Sequence, residues 1–448
     1  MSQERDAAAS ETSSSDGPRR GPRRADATTA LTGYLLLLLW LPSQLIFAPL
    51  GAAGTPAQVL GMVFLSWRCA DWLSRSQAVR VPMTGVLASL LLLAAAQLVS
   101  YVVAGTRPLS GVELRSADRA MLTLCALVGV VLVAESIRSV DRLEVLLRRF
   151  VGLAAVVALL GIVQFVTDQP WVDRITVPGL VLNSDLAGVL GRVGFARPAG
   201  TAVHPIEFGV VLTMTLPSAL HYAYRDGDRP RWRRWAPPAL IALAVPLSIS
   251  RSAVLSALVG MLVLLPTWPR HRRRQAYALM VLLAGVVYVT IPGLLGAIRE
   301  LFLGIQNDDS ARSRTDSYDL VWEFVKRDPV AGRGPGTFLP SYRILDNQYL
   351  GTIIETGVLG LAALLALLTV GVLTGRRVRR ESSDPSLRDL AQSLAAGVAA
   401  GGVTFATFDG LTFPMSAGVL FVLLGCLGAL RRLTRAGSAP QQGTSAFG

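Results

Sequence analysis

Twelve apolar runs, most of them close to 20 residues long, take up the greater part of this 448-residue chain. They lie at roughly 30–50, 56–73, 81–104, 118–137, 150–168, 205–224, 236–249, 252–268, 274–294, 347–374, 390–408 and 413–430. A helix of about 20 apolar residues crosses the hydrocarbon core of a bilayer. With 52% hydrophobic and only 16% charged residues and a mean hydropathy of +0.48, the chain does not have the composition of a soluble domain. The expected fold is an all-α integral membrane protein of about 12 transmembrane helices.

A net charge of +13 raises nucleic acid as a partner, and the placement of the charge removes it. The basic residues form short clusters between apolar runs, as cytoplasmic loops do. Counted from a cytoplasmic N-terminus, 29 of the 43 fall on one side of the membrane. Of the other 14, seven lie in the long segment 293–346, where the positive-inside rule has little force. Both termini are therefore expected in the cytoplasm. Residues 1–27, rich in Ser, Ala, Asp and Arg, read as a disordered cytoplasmic tail, 28–431 as the membrane domain and 432–448 as a second flexible tail. The first run is too long for a signal-peptide core and is expected to remain as a span. Cys69, Cys125 and Cys426 are far apart and imply neither a disulfide framework nor a metal site.

Residues 236–268 are too long for one crossing and short for two, yet both flanks, YRDGDRPRWRR and RHRRR, are arginine-rich. Two short, tilted crossings of about 21–25 Å satisfy this. The turn Ser248–Ser252 then lies at the outer side, with Arg251 at membrane depth, where a cation needs an anionic partner.

In this topology four elements face outward. One runs from Arg197 through His204 and Glu207 into the sixth span, and the second is Arg251 in its serine-rich turn. The third, inside the large loop 293–346, runs from Arg314 to Pro329 and closes on Gly332–Gly336. The fourth joins Asp346, Asn347, Gln348 and Tyr349 to Glu355 and Gly357. In the third, Tyr318, Val321, Trp322 and Val325 recur at helical spacing, which predicts an amphipathic helix lying on the outer leaflet. Its glycine-rich tail offers backbone N–H groups to a phosphate. Three arginines at one membrane face suit an anionic group carried on a lipid, because guanidinium binds phosphate oxygens bidentately and keeps its charge in a dry site.

Each residue also has a plainer reading. Arg251 fits a buried counter-ion, Arg314 a headgroup anchor, and Arg197 a loop charge. His204 fits a cap at the start of a span; Asp346 and Asn347 fit caps of the tenth. Glu355 lies about two turns into that span, where pairing with Arg251 or Arg314 would offset its burial. His221 and His271 fall at cytoplasmic helix ends and are expected to be solvated. Asp308 and Asp309 read as turn residues rather than metal ligands.

Taken in order, these residues resemble the O-antigen ligase and polymerase superfamily. The elements are an SxSR turn, Arg314 with an aromatic four residues on and Pro329 fifteen on, G-x-G-x-G-x-F, and an Asp-Asn pair leading to L-x(4)-E-x-G. The motifs cover about residues 190–360. The resemblance implies a GT-C-like fold and outward arginines, here Arg251 and Arg314, on the diphosphate of a polyprenyl-linked glycan donor. It also implies a bacterial cytoplasmic-membrane setting, a glycan acceptor and no cofactor. Ligases of the family carry a histidine where this chain has Asp346; a carboxylate serves as a general base if held near the acceptor. His204 and Glu207 are the other outward candidates for acid–base work.

The leading expectation is therefore a metal-independent transferase moving a lipid-linked glycan onto a sugar hydroxyl, as a polymerase or a ligase. A transferase using polyprenyl monophosphate sugars would carry acidic residues in its first outer loop, and Gly51–Thr55 has none. A lipid-linked glycan flippase would show ionisable residues in several spans and an internal repeat, which are few and not evident here.

Overall fold

The computed structural model describes residues 26–74, 83–183, 190–192, 195–291, 293, 296 and 317–438. Each of the twelve apolar runs overlaps a helix among the described residues, the first only over its N-terminal half. These are α1 (Ala27–Trp40), α2 (Pro56–Ser74), α3 (Gly85–Ala104), α4 (Gly111–Glu135), α5 (Val140–Thr167), α6 (Pro205–Arg225), α7 (Arg231–Leu247), α8 (Arg251–Leu264) and α9 (Arg270–Thr290). After a short helix, α10 (Ser317–Arg327), come α11 (Gln348–Glu381), α12 (Pro385–Thr404) and α13 (Pro414–Ser438). Five of them, α3, α4, α5, α11 and α13, are long and apolar enough to cross a bilayer alone. A bent pair, the 3-10 turns Ala48–Gly54 and α2, makes a sixth, and α1 is a shorter apolar helix. The chain thus has the all-α fold of a multi-pass membrane protein.

Local chemistry shifts several boundaries from the apolar runs. Helix α4 begins seven residues before its run because Ser110 and Glu113 form a capping box: Glu113 N–H donates to Ser110 Oγ at 3.2 Å and Ser110 N–H to the Glu113 carboxylate at 2.9 Å. Ser139 starts α5 in the same way, accepting from Arg142 N–H at 3.3 Å. The first run divides. Leu41, before Pro42, is extended and ends α1. The chain then pairs Leu45–Ile46 antiparallel with Val181–Leu182 and turns by 86° into α2.

Helix α13 is the axis of the bundle, with 94% of its apolar window buried. Met415, Leu420, Phe421, Leu424 and Leu427 belong to one continuous core with Leu31, Leu35 and Leu38 of α1, Val130 and Val131 of α4, and Phe208 of α6. A smaller core lies under α10, where Val321 and Val325 pack on Phe338, Leu345 and Ile354. The expected stripe of α10 therefore divides: the valines face this core, while Tyr318 and Trp322 are 56% and 59% exposed along its flank.

Polar side chains gather at the two ends of the bundle. At one end Arg142 meets Asp26 at 3.3 Å, Arg148 meets Asp226 at 3.0 Å, Arg225 meets Glu144 at 3.3 Å, and Arg431 pairs with Glu381. His221 also lies here, and it is not solvated: it is 1% exposed, with Nδ1 2.9 Å from the Asp389 carboxylate. A partner 168 residues away carries it into the interior. His271 is exposed, as expected. The opposite end holds the residues with candidate chemistry.

Candidate active site

The turn between α7 and α8 forms where the sequence requires it. Ser250 caps α8, accepting from Ala253 N–H at 3.4 Å, and Ile249 takes the left-handed conformation at φ 44°. Gly209 of α6 lies against the turn so closely that a Cβ there would come 2.7 Å from Ser248 Oγ. Half-buried Arg251 is the first residue of α8. Arg197, 7% exposed, reaches the same turn and donates from Nε to the Ser248 carbonyl at 3.0 Å. Two of the expected arginines are thereby joined through one turn, the first holding the loop that presents the second. Arg314 lies outside the described residues, as do Asp308 and Asp309.

The loop after Arg197 is fixed by Gln164 of α5. Its amide accepts from Gly200 N–H at 2.7 Å and donates to the Gly200 carbonyl at 3.0 Å. Half-buried His204 caps α6, Nδ1 accepting from Ile206 N–H at 3.1 Å. Glu207 is fully buried, and its carboxylate accepts three backbone N–H groups: Val203 at 2.9 Å, Met415 at 2.7 Å and Ser416 at 3.1 Å. Placed at the start of α13, it completes that helix's N-terminus and favours its positive dipole end. This geometry makes Glu207 a clamp between α6 and α13.

At the head of α11 capping falls to Asn347, whose Oδ1 accepts from Tyr349 N–H at 3.0 Å and Leu350 N–H at 3.2 Å. Asp346 is left outside the cap. Its backbone is left-handed, φ 48°, a conformation uncommon outside glycine that aspartate tolerates better than most residues. Its half-exposed carboxylate has no hydrogen bond or ion pair among the described residues. The head of α11 docks on the 405–413 turn through Gln348 N–H to the Phe405 carbonyl at 2.8 Å and Leu411 N–H to Gln348 Oε1 at 2.9 Å. His204 faces Phe413 of that same turn, ring centroids 6.3 Å apart. The 405–416 segment therefore links the Asp346 and His204–Glu207 elements. It also carries half-buried Asp409, which the sequence reading passed over.

The glycine-rich loop does something other than cradle a phosphate. Arg333 N–H donates to the Ile354 carbonyl at 3.0 Å and Gly334 N–H to the Glu355 carbonyl at 2.8 Å. The N–H groups of Gly336 and Phe338 turn to the Glu355 carboxylate, the latter at 3.4 Å. The acceptor in this loop is the protein's own Glu355 side chain, bound by backbone N–H groups and without a salt bridge to Arg251 or another cation among the described residues. Gly332, Gly334 and Gly336 have φ of 67°, 116° and 68°. A Cβ at Gly332 would come 2.5 Å from the Glu355 carbonyl oxygen. The loop grips α11 where that helix breaks at Gly357, φ 64° and ψ −165°.

Arg333, inside this loop, is a second residue the sequence reading passed over. It bonds the Glu113 carboxylate at 2.6 Å and lies over the rings of Phe324 and Tyr342. Arg107 donates to its carbonyl at 3.0 and 2.7 Å. The capping-box glutamate Glu113 was the only local signal for this cluster.

Compared with known protein families, residues 238–365 match the family model described as O-antigen ligase. The matched segment runs from α7 into α11 and includes Arg251, Arg314, Asp346, Asn347 and Glu355, while Arg197, His204 and Glu207 precede it. No curated protein matches the chain. The match supports the O-antigen ligase and polymerase superfamily, and with it a glycosyltransferase-like role in surface polysaccharide assembly.

Proposed function

We propose that this protein transfers a glycan from a polyprenyl diphosphate to a sugar hydroxyl at the outer face of the bacterial cytoplasmic membrane. The observation that carries the reading is Asp346: a half-exposed carboxylate without a partner among the described residues, held in a left-handed backbone at the same end of the bundle as Arg251. Both lie within the matched segment. The orientation follows from the basic residues, which put the opposite, arginine-rich end in the cytoplasm. All twelve helices of the apolar runs cross, the shorter ones tilted or bent, and α10 lies on the outer leaflet with Trp322 at headgroup depth.

In the reaction the acceptor oxygen attacks the anomeric carbon and the bond from that carbon to the diphosphate oxygen breaks. The leaving diphosphate takes the bonding electron pair, and Arg251 with Arg314 stabilises the charge as it develops. The acceptor proton passes to the Asp346 carboxylate. Direct displacement inverts the anomeric centre. Arg197 acts through the Ser248 carbonyl by fixing the turn, and Asn347 and Glu355 fix the head of α11. In this reading His204 contacts the acceptor, and Glu207 supports it through the α6–α13 clamp.

The test is Asp346→Asn, with lipid-linked glycans resolved by gel and mass analysis beside wild type and a deletion. A loss of transfer of about 10²–10⁴-fold with an unchanged melting temperature is expected. Single lipid-linked repeats would then accumulate for a polymerase and long lipid-linked polymer for a ligase. If Asp346→Asn transfers like wild type while the deletion traps donor on the cytoplasmic face, the protein is a flippase instead.

A further inference from the structure

At the arginine-rich end, far from Asp346, a cavity of about 360 Å³ opens between the last turn of α6, the link between α8 and α9, the end of α11 and the start of α12. Four arginines line it, Arg225, Arg272, Arg379 and Arg388, against one carboxylate, Asp389. That carboxylate already accepts from His221 at 2.9 Å and has Arg272 at 3.9 Å. Arg225 is paired with Glu144 behind it. Arg379 donates to the carbonyls of Thr267 at 3.1 Å and Arg388 at 3.5 Å, and it shares the field of the single carboxylate Asp389 with His221 and Arg272. Neither Arg379 nor Arg388 has a carboxylate within ion-pair distance among the described residues. The lining therefore has a surplus of positive charge in a partly enclosed space.

A second observation points into the same cavity. Trp268 is 4% exposed and His221 1%, and Trp268 Nε1, His221 Nε2 and the Ser386 hydroxyl are buried without a hydrogen-bond partner among the described residues. All three residues line the cavity. Buried polar groups are nearly always hydrogen-bonded, so three left unpaired around one space call for an occupant. Trp268 is held in place by an edge contact with Tyr224, centroids 5.3 Å apart. Helices α9 and α12 both begin here, and α9 has no side-chain cap on its first turn. Their N-terminal dipoles add to the attraction for an anion.

We infer that this cavity is a binding site for a phosphate-bearing group, held by Arg379 and Arg388 with the Trp268 N–H and Ser386 hydroxyl as fixed donors. Most of these residues lie outside the segment 238–365, and the site is independent of the transfer chemistry at the other end. Either an anionic phospholipid headgroup or a free phosphate compound brings such a group to the cytoplasmic membrane edge. Bound there, it fastens α6, α11 and α12, whose opposite ends carry His204, Asp346 and the 405–413 turn.

The experiment is thermal unfolding of the full chain in neutral detergent with inorganic diphosphate, and in nanodiscs of phosphatidylcholine with and without phosphatidylglycerol. Two conservative variants are compared: Arg388→Gln, at an exposed side chain with no ion pair among the described residues, and Trp268→Phe, which keeps the packing and deletes the N–H. Wild type is expected to be stabilised in a dose-dependent, salt-sensitive manner, and both variants to need about tenfold more ligand for the same shift. Stabilisation by diphosphate without lipid assigns the site to a free phosphate compound; stabilisation by phosphatidylglycerol alone assigns it to a headgroup. Absence of any wild-type shift, or equal shifts in Arg388→Gln, Trp268→Phe and wild type, overturns the proposal.

Discussion

The two ends of this bundle differ in what most of their polar side chains hold. At the arginine-rich end charge meets charge: Arg148 and Arg225 converge on Glu144, Arg431 takes Glu381, and Arg142 takes Asp26. These pairs join helices already fixed by the core, and each contributes little on its own. At the other end, the Arg333–Glu113 pair apart, side chains are spent on backbone. Arg197 holds Ser248, Gln164 holds Gly200, Glu207 holds the start of α13, and Glu355 holds the 336–338 turn. One end fastens rods; the other fixes irregular loops. Loops that must present groups to a ligand at a set geometry need this second kind of restraint. Within it, Asp346 is conspicuous because no side chain or backbone group among the described residues restrains its carboxylate.

This contrast can be broken from either end. The largest effect is expected at Arg251→Gln, which removes the charge and keeps α8: transfer should fall about 10²–10³-fold while helix content and melting temperature hold, read as donor accumulation in cells. Glu207→Ala should instead act on stability. It strands three buried N–H groups and should cost about 3 kcal/mol, with hydrogen exchange rising first at Met415 and Ser416. If Glu207→Gln loses transfer but keeps that protection, Glu207 belongs to the chemistry and the clamp reading fails. The smallest effect should come from Arg142→Ala at the fastened end, an exposed partner of Asp26, below about 1 kcal/mol and erased by high salt. An effect as large as that of Glu207→Ala would remove the distinction between the ends.

How far the sequence reached depended on the range of the cause. Apolar length marked the place of every long helix, since hydrocarbon depth acts on each run separately. The Arg-rich flanks of 236–268 placed the 248–252 turn for the same reason. Helix starts such as Gly111 and Val140 lay in polar sequence, and only their caps, Ser110 with Glu113 and Ser139, mark them. Partners distant in the chain were not legible. His221 read as solvated because Asp389 could not be foreseen beside it. The glycine loop read as an open anion cradle because its acceptors, the Ile354 and Glu355 carbonyls and the Glu355 carboxylate, appear only once α11 breaks. Between Asp346 and Asn347 the sequence left the capping role open, and the Asn347 hydrogen bonds decide it.

The break at Gly357 divides α11 into a long inner shaft and a short outer arm. That arm, 348–356, is about 14 Å long at 1.5 Å per residue and bears Asp346 at its tip. A tilt of about 10° at the joint would carry the tip about 2 Å, and a displacement of about 1 Å is enough to cost a reaction two orders of magnitude. The joint has almost no room to tilt: a single methyl group on Gly357 would already come 2.2 Å from the Val330 carbonyl oxygen. The aim of the carboxylate is thus set some 14 Å away from it, by two stretches of main chain pressed together with no side chain between them.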